Sequence, residues 1–404
     1  MYLGSPPPFF ERIFSMREIY LDNSATTALS PAVKARMTQV MDCYGNPSSL
    51  HTPGNQAHEI LETARRQVGE AFGVRRPEVG EILFTSCGSE SDNLAILGCA
   101  YAKPRRRGMK IITTDSEHAA VENTMRRLEA DGFEVARIRT AGGVLDMEQY
   151  QRELNDRVFL VSMMMVNNET GAVYDLKRAF GLAKAKNKDI VTHTDAVQGF
   201  LKCRFTPKAL GADLVTVSAH KIHGPKGVGA LYVSADSRKR RDIVPCLIGG
   251  GQEAGFRSGT ENVIGIAGFG EAVREGYAAL SDDVQTMRDL RGYAMEKLSS
   301  LQVRLNIPQG DCAPHVLNLT LPGIRSETML HSLSKEGIYI SNGSACSSHH
   351  SNPSSALLAF GLTEAETESS IRVSFSKYNT KEDVDALTDA LADAISKLVS
   401  ATRR

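Results

Sequence analysis

The sequence predicts an α/β fold: a large domain with a mostly parallel, seven-stranded sheet between helices, and a smaller α+β domain after it. Three observations lead there. Seven short β-rich runs, "EILFTS", "KIITTD", "EVARI", "VFLVSMMMV", "DIVTHTD", "DLVTVSA" and "GALYV", are apolar without strict alternation, as strands covered on both faces are. Helix-period segments such as "AAVENTMRRLEADG" and "LKRAFGLAKAKN" separate several of them, which is the crossover that parallel strands require. At 404 residues the chain also exceeds what one hydrophobic core organises, so two or three domains are expected.

The elements follow in order. Residues 1–15 contain three consecutive prolines and neither a basic start nor a long apolar run, so they do not read as a secretory signal. Met16 directly precedes the strand-like "REIYLDNSATT", which makes 1–15 an extension or a start-site artefact. Residues 16–30 form an N-terminal segment whose strand can join either domain. Leu61, Ala64, Val68 and Phe72 then mark one face of a helix that stops at Gly73. The large domain is placed at 31–272. Near residue 270 the text turns helix-rich, then gives the strand-like "HVLNLTL" and "GIYIS" around the helical "SETMLHSLSKEG". Thr380 and Asp383 suit the cap of a last helix whose buried stripe is Val384, Leu387, Leu391, Ile395 and Leu398. These belong to a small domain at 273–404.

Composition narrows the function classes. The chain is 42% hydrophobic and 23% charged with a formal net charge of +0. It lacks the field by which nucleic-acid or anionic-membrane binders attract their partners. No run approaches the ~18 apolar residues of a membrane span, and a cytoplasmic location is expected. Seven cysteines, at 43, 87, 99, 203, 246, 312 and 346, are odd in number, scattered and without a C-x-x-C pair. That argues for reduced thiols rather than a disulfide framework or a zinc ribbon.

In open α/β sheets, ligands sit beyond the carboxyl ends of the strands. In "FTSCGSESDNLAILG" a strand runs through Cys87 and Gly88 into a helix whose first turn carries Ser89 and Glu90. This suits a phosphate at a helix N-terminus, although on these residues alone an ordinary cap is the better reading by about two to one. In "VTHTDAVQG" the carboxylate Asp195 ends a strand with Gln198 three residues on; a helix cap is the plain alternative. In "TVSAHKIHGPKGVGALYV", Ser218, His220 and Lys221 leave one strand and a Gly/Pro turn leads to the next. A lysine at a buried strand end is costly unless it is paired, loses its charge or forms a Schiff base. Phosphate site, ring-nitrogen carboxylate and imine lysine on one sheet are the parts that pyridoxal phosphate requires.

Cys346, in "NGSACSSHH", admits three readings. Its small polar neighbours do not bury an inert thiol. Zinc held with His349 and His350 lacks a fourth ligand, and adjacent histidines rarely share one ion. A nucleophile on a Gly/Ser loop fits better.

The chain resembles the cysteine desulfurases of class V pyridoxal-phosphate enzymes, of the branch serving iron–sulfur assembly and nitrogenase maturation. The resemblance runs over residues 17–400 through "YLDNSATT", "GNPSS", "SESDNLAI", "SEHAAV", "VNNETG", "THTDAVQ", "SAHKIHGPKGVGALYV", "GGGQEAGFRSGT", "NGSACSS" and "SSIRVS" in family order. It implies a fold-type I enzyme that converts L-cysteine to L-alanine. Lys221 would bind the cofactor covalently, Asp195 would pair with the ring nitrogen, Gln198 would contact the ring hydroxyl, and His118 would stack on the ring and move protons. Gly88, Ser89, Ser218 and His220 would hold the phosphate, with Thr260 reaching in from the other subunit of a homodimer. Arg372 would bind the substrate carboxylate, with Asn168 near cofactor and substrate. Cys346 would take the sulfur as a persulfide and pass it to an acceptor protein, an iron–sulfur scaffold or a tRNA-thiolation enzyme. No intrinsic metal is implied, although Cys346 could transiently ligate a cluster shared with a scaffold. The chain departs from the family at Cys87, commonly glycine, and at Ser89, commonly threonine. A selenocysteine lyase or another class V enzyme would need Lys221 but not Cys346. An inactive scaffold for sulfur-transfer partners would need neither.

Overall fold

The computed structural model describes residues 17–74, 77, 80–102, 109–342 and 353–402. The extension at 1–15 and the loop carrying Cys346, His349 and His350 lie outside the described residues.

The seven-stranded sheet consists of β2 (Ile82–Thr85), β3 (Lys110–Thr114), β4 (Glu134–Ile138), β5 (Val158–Ser162), β6 (Val191–Asp195), β7 (Leu214–Ser218) and β8 (Gly229–Val233), in the order β2-β8-β7-β6-β5-β3-β4. Only β8 runs against its neighbours; all the other pairings in the sheet are parallel. Successive side chains serve opposite faces. Ile82, Phe84, Ile112, Val161 and Val215 belong to one core, while Leu83, Ile111, Leu160 and Leu214 belong to another. Both faces are covered, which is why the strands read as continuous apolar runs. Helices α1 (Pro31–Val40), α2 (Thr52–Ala71) and α6 (Val263–Ala278) lie on the first side together with α5 (Leu176–Lys186). On the second side lie α3 (Gly88–Tyr101) and α4 (Ala119–Ala130), contributing Leu94, Ile96, Val121 and Met125.

A separate core gathers α7 (Leu280–Leu298), α8 (Ser326–Lys335) and α9 (Lys381–Thr402) on the antiparallel sheet of β9 (Arg304–Leu305), β10 (Val316–Thr320) and β12 (Ser370–Ser374). Val273 packs in the first core and Val284 in this one, so the two cores part between α6 and α7. Thr380 and Asp383 cap α9 reciprocally, Asp383 N–H donating to Thr380 Oγ1 and Thr380 N–H to Asp383 Oδ2 at 3.1 Å.

The N-terminal strand β1 (Ile19–Tyr20) pairs in parallel with β11 (Ile338–Tyr339), and Ile19 and Leu21 are buried in the smaller core. Residues 22–27 then cross to the large sheet, where the Thr27 hydroxyl donates to the His220 carbonyl at 3.0 Å. This crossing lays the backbone of Ser24 and Ala25 along the carboxyl ends of β6 and β7. No helix among the described residues is long and apolar enough to cross a membrane.

Candidate active site

A cavity of about 180 Å³ opens at the carboxyl ends of β2, β3, β5, β6 and β7, roofed by residues 24–25 and by Arg372 of β12. Its lining includes Gly88, Ser89, His118, Asn168, Asp195, Gln198, Ser218, His220, Lys221 and Arg372.

One corner is built of donors without an acceptor. Cys87 occupies the N-cap position of α3 but makes no side-chain cap, and the neighbouring Ser86 N–H donates instead to Glu90 at 2.7 Å. The first-turn N–H groups of Gly88 and Ser89 therefore sit at an uncapped helix start, where the dipole favours an anion. A Cβ on Gly88 would lie 2.9 Å from Val197 Cγ2, so glycine keeps this turn against the end of β6. Ser218 Oγ is buried with no hydrogen-bond partner among the described residues. His220 Nδ1 lies 3.2 Å from the Thr26 hydroxyl. Burial first, then the charges of Lys221, Lys226 and Lys202, push His220 down to about 4. Its ring is neutral at physiological pH and offers one N–H.

At the centre, Asp195 ends β6 buried, its Oδ1 accepting the Val197 N–H at 2.8 Å. The capping reading of this residue is thus satisfied by one oxygen, with the carboxylate still on the cavity wall. Burial raises its carboxyl, while His118, the Val197 N–H and Lys221 oppose that rise. Behind it stand two further buried carboxyls. Asp92 is raised well above its ordinary range by burial and then by Asp195, and Glu117 is pushed up to about 8, chiefly by burial. Neighbouring buried carboxylates do not all ionise. Burial favours the protonated forms of Asp92 and Glu117, and Asp195, which faces the cations, is the one placed to carry charge. His118 caps α4, its Nδ1 accepting the Ala120 N–H at 3.2 Å. That bond leaves the ring proton on Nε2, so the capping and cavity-lining readings hold together.

Lys221 Nζ donates to the carbonyls of Ser24 at 2.6 Å and Ala25 at 2.8 Å. Gln198 is oriented on both sides: its Nε2 donates to Ser24 O at 2.9 Å and its Oε1 lies 3.1 Å from His315 Nε2. Arg372 is 1% exposed; Nη1 donates to Asn168 O at 2.9 Å and Nη2 to Asp22 Oδ1 at 2.7 Å, while Nε has no partner among the described residues.

The structure therefore brings ten of the sequence-derived positions onto one cavity. Thr260 is exposed and does not line it, and Cys346 lies outside the described residues. Sequence reasoning left Asp22, Asp92, Glu117, His193 and His315 without roles. Asp22 stands inside the quoted "YLDNSATT", and the polar letters of "THTD" marked β6, but nothing in the text tells which of them meet.

The site fits pyridoxal phosphate. An uncapped helix start with the orphaned Ser218 hydroxyl suits the phosphate, a buried carboxylate suits the ring nitrogen, and Lys221 suits the aldehyde. Among the described residues no three His, Cys, Asp or Glu side chains cluster as a metal site.

Known proteins resemble the chain along nearly its whole length. The family model for class-V aminotransferases matches residues 19–387. A cysteine desulfurase of Trichormus azollae is 39% identical over 389 residues, covering 95% of this chain and 94% of the relative. A solved NifS-like protein superposes with a TM-score of 0.87 at 36% identity, covering 94% of this chain and all of the other. SspA, solved in complex with cysteine, superposes with a TM-score of 0.76 at 32% identity over 90% of this chain and 100% of its own.

Proposed function

The chain belongs to the class-V aminotransferase family, among its cysteine desulfurases, and from that footing we propose that it converts L-cysteine to L-alanine and hands the sulfur to an acceptor protein. The observation that carries this reading is the convergence of Lys221, Asp195, Ser218 and the start of α3 on one cavity with Arg372.

Gly88, Ser89, Ser218 and His220 would hold the phosphate of pyridoxal phosphate, Asp195 its ring nitrogen, Gln198 its ring hydroxyl and Lys221 its aldehyde carbon, with His118 over the ring. Bound there, the cofactor supplies an electron sink that stabilises negative charge on the substrate and makes its sulfur a leaving group. The chain's own groups do the rest. Arg372 orients the substrate by its carboxylate, its unpartnered Nε and the second Nη2 proton forming a planar fork. Lys221 and His118 take and return protons at the substrate carbons. The Cys346 thiolate attacks the substrate sulfur; an S–S bond forms as the C–S bond breaks, and protonation of that carbon gives alanine. Cys346 keeps the sulfur as a persulfide. An ordinary cysteine titrates near ~8.5, so a basic neighbour that favours the thiolate speeds this step.

The exposed position of Thr260 away from its own cavity suits a homodimer in which it completes the partner's phosphate site. The acceptor would be an iron–sulfur scaffold or a tRNA-thiolation enzyme, and a cytoplasm that keeps thiols reduced suits chemistry run by a thiolate. The test is alanine production from L-cysteine by the holoprotein and by Cys346→Ser. The variant should keep the yellow colour of bound cofactor and lose sustained alanine formation. Full activity in Cys346→Ser would favour a selenocysteine lyase or another class V reaction.

A further inference from the structure

A second cavity, of about 40 Å³, lies on the other side of Lys221, where the two cores meet. Its notable wall residue is Lys202, which is 6% exposed and whose Nζ has no hydrogen-bond partner among the described residues. The chain is bent to bring it there: the preceding Leu201 adopts φ 54°, a left-handed conformation that costs a non-glycine residue about 1 kcal/mol or more.

The charged groups around Lys202 leave it without a counter-ion. Lys221 shares the wall, and Arg372 adds a field of the same sign. The two carboxylates on this cavity are engaged by Lys377, a further lysine of its wall. Glu275 accepts from Ser30 at 2.6 Å and from Lys377 at 3.0 Å, and Asp283 lies 3.3 Å from the same Lys377. His223 is held neutral, pushed down to about 4 chiefly by burial, and burial pushes the Cys203 thiol up to about 11. His315, also buried, is driven well below its ordinary value by burial and then by Lys202. A buried ammonium with no partner costs several kcal/mol. It escapes that cost by losing its proton or by acquiring an anion.

We propose that this cavity is an anion site, binding a small monovalent inorganic anion of the halide type against Lys202 Nζ. The size suits this class, since about 40 Å³ accommodates a small ion with a water or two beside it. Burial and the Lys221 charge push Lys202 down to about 7, so above that pH the anion must bring a proton with it. Binding is therefore strongest below neutrality and weakens as pH rises.

Crystals of the holoprotein soaked in sodium bromide, measured at the bromine absorption edge, should show anomalous density in contact with Lys202 Nζ. In solution, bromide should raise the thermal midpoint above an equal ionic strength of gluconate, more at about pH 6 than at about pH 9. Lys202→Met should lose the bromide-specific rise. Lys202→Arg, charged at both pH values, should keep it without the pH dependence. Absence of density at Lys202, or an undiminished bromide response in Lys202→Met, would overturn the proposal. If Lys202→Met does not fold, the bromide crystal decides alone. None of these readouts depends on cysteine turnover, so the outcome is separate from the fate of the desulfurase reading.

Discussion

Arg372 Nη2 and Asp22 Oδ1 are 2.7 Å apart, although 350 residues separate them in sequence. The pair joins the second residue after β1 to the middle of β12 and fixes the guanidinium plane above the cavity. Asp22 acts here as a positioning residue for the substrate-carboxylate group. Replacing Asp22 by Asn keeps an acceptor but removes its charge, exchanging a charge-assisted bond for a weaker one worth about 1 kcal/mol less. We expect kcat/KM for L-cysteine to fall about fivefold, carried mostly by KM. Steady-state kinetics check this, and a fall confined to kcat would contradict it.

Ser218 offers a second prediction, because its buried hydroxyl has no partner among the described residues. Ser218→Ala removes no hydrogen bond from the cofactor-free chain, so apoprotein stability should change by less than about 0.5 kcal/mol. The same change deletes a donor to the phosphate and should raise the dissociation constant of pyridoxal phosphate about tenfold. Thermal unfolding of the apoprotein and a cofactor titration read the two halves separately.

How far this was legible beforehand varies with the range of the interaction. The large sheet was readable because residues such as Ile111 and Ile112, on opposite faces, are both buried, leaving an unbroken apolar run in the text. Lys221 and Asp195 were readable because charged residues at the ends of such runs are conspicuous. The N-terminal strand was not assignable: two residues of β1 find β11 more than 300 positions away, and no local pattern encodes that partner. For the same reason the contacts Asp22 to Arg372 and Gln198 to His315 were invisible.

Glu253 and Arg65 form a bidentate pair at 2.8 and 2.9 Å with both side chains almost fully buried. Glu253 also accepts the Phe84 N–H of β2 at 2.7 Å, and it holds φ 49° where a non-glycine residue is strained. The pair thus pins to the sheet the loop that runs on to Thr260. Glu253→Gln removes the buried carboxylate partner of Arg65, leaving it the partly exposed Glu62 at 2.9 Å, and should destabilise the fold by about 3 kcal/mol. A urea titration measures this, and a loss below about 1 kcal/mol would show that Glu62 alone suffices for Arg65.

The acid limit of stability should carry the mark of His193. This residue of β6 is fully buried, its Nδ1 lying 2.8 Å from the Ser162 hydroxyl and its Nε2 3.1 Å from that of Thr216. Burial pushes it down to about 3, so between its ordinary range and that value the unfolded chain binds a proton that the native chain refuses. Stability consequently falls as pH drops from about 6.5 towards 3, by up to about 1.4 kcal/mol per unit from this group. His193→Asn should flatten that slope in urea unfolding measured over this window, whatever its effect at neutral pH.

Sulfur passing from L-cysteine to one thiol of this chain is the central step of the proposed reaction. The measurement that meets it most directly is mass spectrometry of the holoprotein after brief exposure to L-cysteine without an acceptor, with alanine quantified in the same sample. Residue by residue, Cys346 should carry one added sulfur atom, removable by a reductant, in proportion to the alanine formed and absent from Lys221→Ala. Alanine formed with no sulfur on Cys346, or with the sulfur on another cysteine, would contradict the account.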